Sequence, residues 1–278
     1  MVKDSISMPA ILRRLKMNWD HKVYLPESEK RIEHLRDVVA GRPIAILASG
    51  PSISELESRI SELKGLDICW FGFNTFVHEK YILSKIGSQM DIYMDSCREN
   101  IPMTMPEILE FLERGYPNLF ISTFCRNTFE LLGDRFNLPG FINRYSQSLL
   151  FFYLASTCDV PSQENPLHFT EGNSLQMAIQ IAVISGALKI VLFGADGGAS
   201  SENRYYRQES YHGPVPYVAK LLQDTINHFN PVMPVSVQNT CEAYDIPVPV
   251  ILNASMSSLY TPFPKCDYDT AFRVLKYV

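Results

Sequence analysis

The sequence has 278 residues, of which 46% are hydrophobic and 20% charged, with a formal net charge of −5. This is ordinary globular composition with chain enough for a sizeable core, which excludes a mainly disordered or fibrous protein. The acidic balance excludes a generally basic nucleic-acid surface, so no nucleic-acid partner is expected.

No apolar run approaches the roughly 20 residues that cross a bilayer, and the stretch Met1 to Lys16 lacks the apolar centre of a signal peptide. The expected compartment is the cytoplasm. The six cysteines are scattered, with no C-x-x-C pair and no histidine at metal-ligand spacing. They read as reduced thiols in core and loops rather than as a disulfide framework or zinc module.

Residues 1–40 read as an N-terminal extension. Lys3, Arg13, Arg14, Lys16 and Lys22 outnumber Asp4 and Asp20, and Ile11, Leu12 and Leu15 make a short apolar stripe. Such a basic stripe suits peripheral contact of residues 1–22 with the inner face of the membrane, or a solvated helix resting on its own domain. The remainder, 41–278, reads as one domain. Ile44–Ala48 is a short apolar run that ends in Ser49-Gly50-Pro51-Ser52, and Ile53, Leu56, Ile60 and Leu63 follow at near-helical spacing before Gly65. Strands are expected at Asp67–Phe73, closing on Asn74-Thr75, and at Met90–Met94, closing on Asp95-Ser96. A helix over Met105–Arg114 then precedes a strand at Asn118–Thr123. The stretch 124–166 reads as a lid-like helical insertion.

Thr170-Glu171-Gly172-Asn173-Ser174 then opens a helix whose Leu175, Ala178, Ile179, Ala182 and Val183 form one stripe. Gly186 ends it, and the strand Lys189–Phe193 runs into Gly194-Ala195-Asp196-Gly197-Gly198. A Tyr-rich polar loop leads to Tyr211-His212-Gly213, followed by a helix over Pro216–His228 and a strand near Val248–Leu252. Strands alternating with helices at this spacing specify an α/β fold, a mostly parallel sheet with helices on both faces.

Ligands of such sheets sit beyond the carboxyl ends of the strands, where the strand order reverses. The turns after the expected strands are therefore the candidate site. Gly50 allows close approach of backbone, Pro51 suits a first helical turn, and Ser52 offers a hydroxyl and an N–H at the positive end of a helix. The same residues also read as a simple helix cap. Thr170, Asn173 and Ser174 are good capping residues and equally good donors to a ribose, base or phosphate. Asp196 could bind Mg²⁺ or a ribose hydroxyl, or cap a turn, and Asp95 could join it at a metal. His212, in a segment with Tyr205, Tyr206 and Arg207, has the chemistry of a general base on a sugar hydroxyl, and tyrosine hydroxyls suit a departing phosphate.

The run IAILASGPS at Ile44–Ser52, the GFN at Gly72–Asn74, and Thr170-x-Gly172 opening a helix that leads to IVLFGAD at Ile190–Asp196 resemble a Rossmann-like superfamily. One of its branches is the bacterial lipooligosaccharide sialyltransferases. The other is the MptE-like group, similar to 6-hydroxymethylpterin diphosphokinases. The first resemblance implies transfer of an acidic sugar from a CMP-activated donor to a glycan acceptor hydroxyl, with no cofactor. Gly50, Pro51, Ser52, Asn74, Thr170, Gly172, Asn173, Ser174, Gly194 and Asp196 would then bind the nucleotide sugar, with Tyr205 and Tyr206 on the leaving phosphate and His212 as base. The turn here is Ala48-Ser49-Gly50 where that branch carries Gly-Asn-Gly. The second resemblance implies pyrophosphate transfer from ATP, with Asp95 and Asp196 as Mg²⁺ ligands. A third reading is a nucleotide-binding protein without catalysis.

Overall fold

Alternation of side chains along the strands divides the sheet into two apolar faces. In β1 (Ile44–Leu47), Ile44 and Ile46 enter one core cluster while Ala45 and Leu47 enter another. Strand β8 (Lys189–Phe193) repeats the pattern, with Ile190 and Leu192 on the first face and Val191 and Phe193 on the second. The computed structural model describes residues 28–86, 90–96, 101–122, 137–151, 153–155, 168–170, 174–197 and 215–276.

The other strands are β2 (Cys69–Phe73), β3 (Met90–Asp95), β4 (Leu119–Ser122), β5 (Leu149–Phe151) and β9 (Val250–Asn253). Together they form one seven-stranded sheet in the order β5-β4-β3-β2-β1-β8-β9, and every pairing is parallel. Strands β6 (Tyr153–Ala155) and β7 (His168–Thr170) form a separate parallel pair. The chain winds outward from β1 through β5, then returns to the far side of β1 with β8. The reversal of strand order falls between β1 and β8, and this doubly wound arrangement is Rossmann-like.

Both faces are covered. Helices α1 (Ser28–Val39), α6 (Ser174–Ile184) and α7 (Val215–Tyr244) close the first. Helices α2 (Ile53–Arg59), α3 (Lys80–Ile86) and α8 (Tyr268–Lys276) close the second. Helices α4 (Ile101–Glu113) and α5 (Leu138–Arg144) cover Tyr93 and Phe120 in a third cluster. Ten of the eleven residues of α6 are buried, because it lies between the sheet and α7. Its Gln180 donates to Ser236 of α7 at 2.6 Å, and Arg36 of α1 donates to the terminal carbonyl of Ile184 at 3.3 Å.

Several boundaries differ from the sequence expectation. The domain begins before residue 41: α1 places Ile32, Leu35 and Val39 in the core, so 28–39 are integral to it. The segment 124–166 supplies β5, the outermost strand on its side, besides helix α5. Helix α7 runs to Tyr244, past Pro231 and Pro234. Both prolines are exposed, while Phe229, Met233, Val237 and Cys241 recur every four residues on the buried side. Burial of that stripe outweighs two missing backbone donors on the solvent side. Thr170 ends β7, and the helix beyond it starts at Ser174. No helix among the described residues is long and apolar enough to cross a membrane.

The amino edge of the sheet holds an ion pair between buried Asp91 and half-buried Arg42. Register shifts between Trp70 and Phe71, whose partners are Met90 and Ile92, so Asp91 is left unopposed in a bulge. Its carboxylate accepts from Arg42 at 2.9 Å, from the Trp70 N–H at 2.9 Å and from Asn118 at 3.2 Å. The outer strand β9 begins just after Pro247 and Pro249, and its far end pairs with a short segment through the Pro264 carbonyl and the Cys266 N–H.

Candidate functional site

Backbone from β1 and β8 crosses at close range where the strand order reverses. Ala48 N–H donates to the Phe193 carbonyl and Gly50 N–H to the Gly194 carbonyl, both at 2.9 Å, so the ladder continues past the strand ends. A Cβ on Gly50 would lie 2.3 Å from the Asp196 carboxylate and from the Gly194 carbonyl. Gly194 has φ +67°, and a Cβ there would lie 2.1 Å from the Ala48 carbonyl. Neither position has room for a side chain.

Asp196 is the hub of this crossing. One carboxylate oxygen accepts the Ser52 N–H at 2.9 Å, and the other accepts the Ser255 hydroxyl. The expected phosphate position at Ser52 is thereby filled by the chain's own carboxylate. The first turn of α2 is satisfied by that distant anion, since the Ser52 side chain makes no capping bond. The Ser52 carbonyl accepts from the Tyr268 hydroxyl at 2.9 Å. Burial raises the Tyr268 pKa, with neighbouring carboxylates adding to the shift, so the phenol remains a donor.

The loop after β9 completes this half of the site. Asn253 donates to the Ala195 carbonyl at 3.2 Å, and Leu259 N–H donates to the Asp196 carbonyl at 2.9 Å. Lys265 holds the loop from outside through the Ser258 carbonyl at 2.6 Å. Ser255, Asn253 and Tyr268 were not expected at the site. The available signal was the polar run Asn253-Ala254-Ser255-Met256-Ser257-Ser258 directly after a strand.

On the other side of β1, three more turns meet. Asn74 has φ +51° and donates from its amide to the Ser174 hydroxyl at 2.6 Å. Its amide oxygen accepts the Ser96 N–H at 2.9 Å and the Ser96 hydroxyl at 3.1 Å, and the Ser174 hydroxyl in turn donates to the Ser96 oxygen at 2.6 Å. The ends of β2 and β3 and the start of α6 are thus joined by one polar cluster. The Tyr93 hydroxyl donates to the Asn74 carbonyl and accepts the Val77 N–H, which holds the left-handed turn in place. Complete burial, reinforced by the charge of Asp95, pushes the Tyr93 phenol well above its ordinary pKa. Both ends of the Asn74 amide are engaged within the protein, so the residue organises the edge.

Asp95 and Asp196 do not form one metal site. Asp95 ends β3 and accepts from Thr104 at 2.7 Å, whereas Asp196 follows β8. Three strand spacings separate them, about 14 Å at ~4.8 Å each, while ligands to a shared Mg²⁺ lie ~2.1 Å from the ion. Among the described residues no three His, Cys, Asp or Glu side chains gather as a metal ion would require. Tyr205, Tyr206, His212, Gly172 and Asn173 lie outside the described residues, as do residues 1–22.

Fold and edge together define an α/β protein with a doubly wound parallel sheet and a polar carboxyl edge. No family model, curated protein or solved structure matches the chain.

Proposed function

We propose that this chain is a nucleotide-dependent transferase of the Rossmann-like type, moving an acidic sugar from a CMP-activated donor to a glycan hydroxyl. The observation that carries the reading is the convergence of Gly50, Ser52, Asn74, Ser174, Gly194 and Asp196 on one edge at the reversal of strand order. Doubly wound sheets hold nucleotides at that place. The resemblance of the 44–52, 72–74 and 190–196 runs to the sialyltransferase branch supplies the donor class.

In this reading the crossing of β1 and β8 is the floor beneath the nucleotide. The start of α6, braced by Asn74 and Ser96, faces its phosphate or ribose. The acceptor oxygen attacks the anomeric carbon as the bond from that carbon to the CMP phosphate oxygen breaks. His212 takes the acceptor proton, and Tyr205 and Tyr206 donate hydrogen bonds to the departing phosphate. The reaction would take place in the cytoplasm, with residues 1–22 resting on the inner face of the membrane.

A thermal-shift screen of CMP, CDP, UDP, ADP and ATP, each with and without Mg²⁺, tests the reading. A ligand at a hundredfold excess over its Kd stabilises the folded state by about 2.7 kcal/mol. CMP is expected to raise the Tm equally with and without metal. A shift confined to ATP with Mg²⁺ would overturn the glycosyl-transfer reading in favour of pyrophosphoryl transfer, and no shift with any nucleotide would overturn both.

A further inference from the structure

The loop after β9 carries a methionine at the tip of a tight turn. The Ser258 N–H donates to the Ser255 carbonyl at 3.2 Å, which closes a β-turn with Met256 and Ser257 at its centre. Both flanks are buried, Ser255 at 1% and Ser258 at 2% exposure, whereas Met256 is 65% exposed. The flanks are tied to the end of β8: the Ser255 hydroxyl donates to Asp196, and the Ser258 hydroxyl donates to the Ala195 carbonyl at 2.5 Å. The Ser255 N–H donates to the Asn253 side chain at 3.1 Å, and Lys265 donates to the Met256 carbonyl at 3.4 Å. The turn cannot bury Met256 without giving up these bonds.

The residue type is unusual for that place. Turn centres favour Gly, Pro, Asn, Asp and Ser, each for a backbone reason that methionine does not share. Among the described residues, Tyr81 and Val235 are exposed on helices, and Leu188, Val248 and Val250 are exposed at the amino ends of β8 and β9. Met256 alone among the exposed large hydrophobic residues stands in a turn that follows a strand. At the crossing of β1 and β8, the half-buried residues Ala48, Ser49, Pro51, Ser52 and Asp196 bring no long apolar side chain. A thioether is polarisable, adapts through three rotatable bonds, and packs favourably on aromatic rings.

We infer that Met256 is the platform for the base of the nucleotide bound at the crossing. The inference rests on the nucleotide reading above. It also gives the ligand a direction. The Asp196 carboxylate, one residue contact away through Ser255, repels a phosphate from the end of β8. The base therefore lies toward β9, and the phosphate lies across β1 toward the start of α6, where Asn74 and Ser96 brace Ser174.

Nuclear magnetic resonance of the full chain labelled with methyl-¹³C methionine, titrated with CMP and with ribose 5-phosphate, tests this. Met256→Leu identifies the Met256 methyl signal by its loss. CMP is expected to move that signal upfield and saturably, through the ring current of the base. Ribose 5-phosphate has no base and is expected to leave the signal in place. Met256→Ala should weaken CMP binding about fivefold, within the reach of a sulfur–aromatic contact, and Met256→Leu, which keeps an apolar side chain, should weaken it less. A rise in Tm with CMP while the Met256 signal stays in place would overturn the inference alone, as would an unchanged CMP affinity in Met256→Ala. An equal shift with ribose 5-phosphate would also overturn it, since the turn would then move without touching a base. CMP that changes neither the Tm nor any methyl signal would overturn the nucleotide reading and this inference with it.

Discussion

Asp196 and Ser52, 144 positions apart in the chain, are joined by one hydrogen bond of 2.9 Å from the Ser52 N–H to the Asp196 carboxylate. That bond couples the end of β8 to the first turn of α2 and brings a negative charge to the positive end of a helix. Asp196→Ala removes it together with the Ser255 bond, so a loss of about 1.5–3 kcal/mol is expected. Urea unfolding with an unchanged m value measures it. An Asp196→Ala protein as stable as the parent would show that the carboxylate does not hold the two elements together.

The crossing of β1 and β8 leaves no space for a methyl group on either glycine. Gly50→Ala and Gly194→Ala should each destabilise by about 1–3 kcal/mol through forced backbone shifts. The double variant should lose less than the sum, because the first shift already opens the crossing. Thermal unfolding of the three variants decides this, and strict additivity would mean that the two sites act separately.

At the opposite edge, Asp91 is buried and serves three strands at once. Its neighbour Arg42 is held firmly in the charged form: burial alone would lower its pKa, but the bond and charge of Asp91 outweigh that and raise it. Asp91→Ala leaves the buried Trp70 N–H without its acceptor and removes a charged hydrogen bond from Arg42, so it should cost about 1.5–3 kcal/mol. Asp91→Asn keeps an acceptor for Trp70 and should cost less. Denaturant midpoints for the two variants give the comparison.

Helix α8 supplies a pH dependence. Asp267 accepts the Thr270 N–H at 2.8 Å, and bonds from the Thr270 side chain and backbone hold its pKa below the usual carboxylate range. A depressed carboxylate contributes stability above its unfolded pKa and loses that contribution as pH falls through the folded value. The Tm gap between the parent and Asp267→Asn should therefore narrow on acidification from about pH 5 to about pH 2. A gap that is constant over that range would remove Asp267 from the acid limb.

Strands with clean alternation were legible in the sequence: Lys189–Phe193 is found at its expected bounds, and β1 differs by one residue. Local patterning read less well where long-range partners decide the outcome. The helix expected over Pro216–His228 stops short of Pro231, but the exposure of that ring and the buried stripe from Phe229 to Cys241 carry α7 through it. Leu149–Phe151 is too short to show a period and becomes a strand because β4 offers it an edge. The turns after the strands do share the carboxyl edge of the sheet, because the strands are parallel. They could not show that the donor at Ser52 meets Asp196, because nothing near Ser52 in the chain encodes that partner.

The two prolines before β9 bear on how the molecule behaves in crowded solution. Leu188, Val248 and Val250 are more than half exposed at that end of the sheet, and an open edge strand with apolar side chains is a template for uncontrolled self-association. Pro247 and Pro249 bring no N–H to an incoming strand. At the other end of β9, Asn253 is already paired with the Pro264–Cys266 segment. The apolar patch therefore sits on a border that another β-strand cannot readily continue.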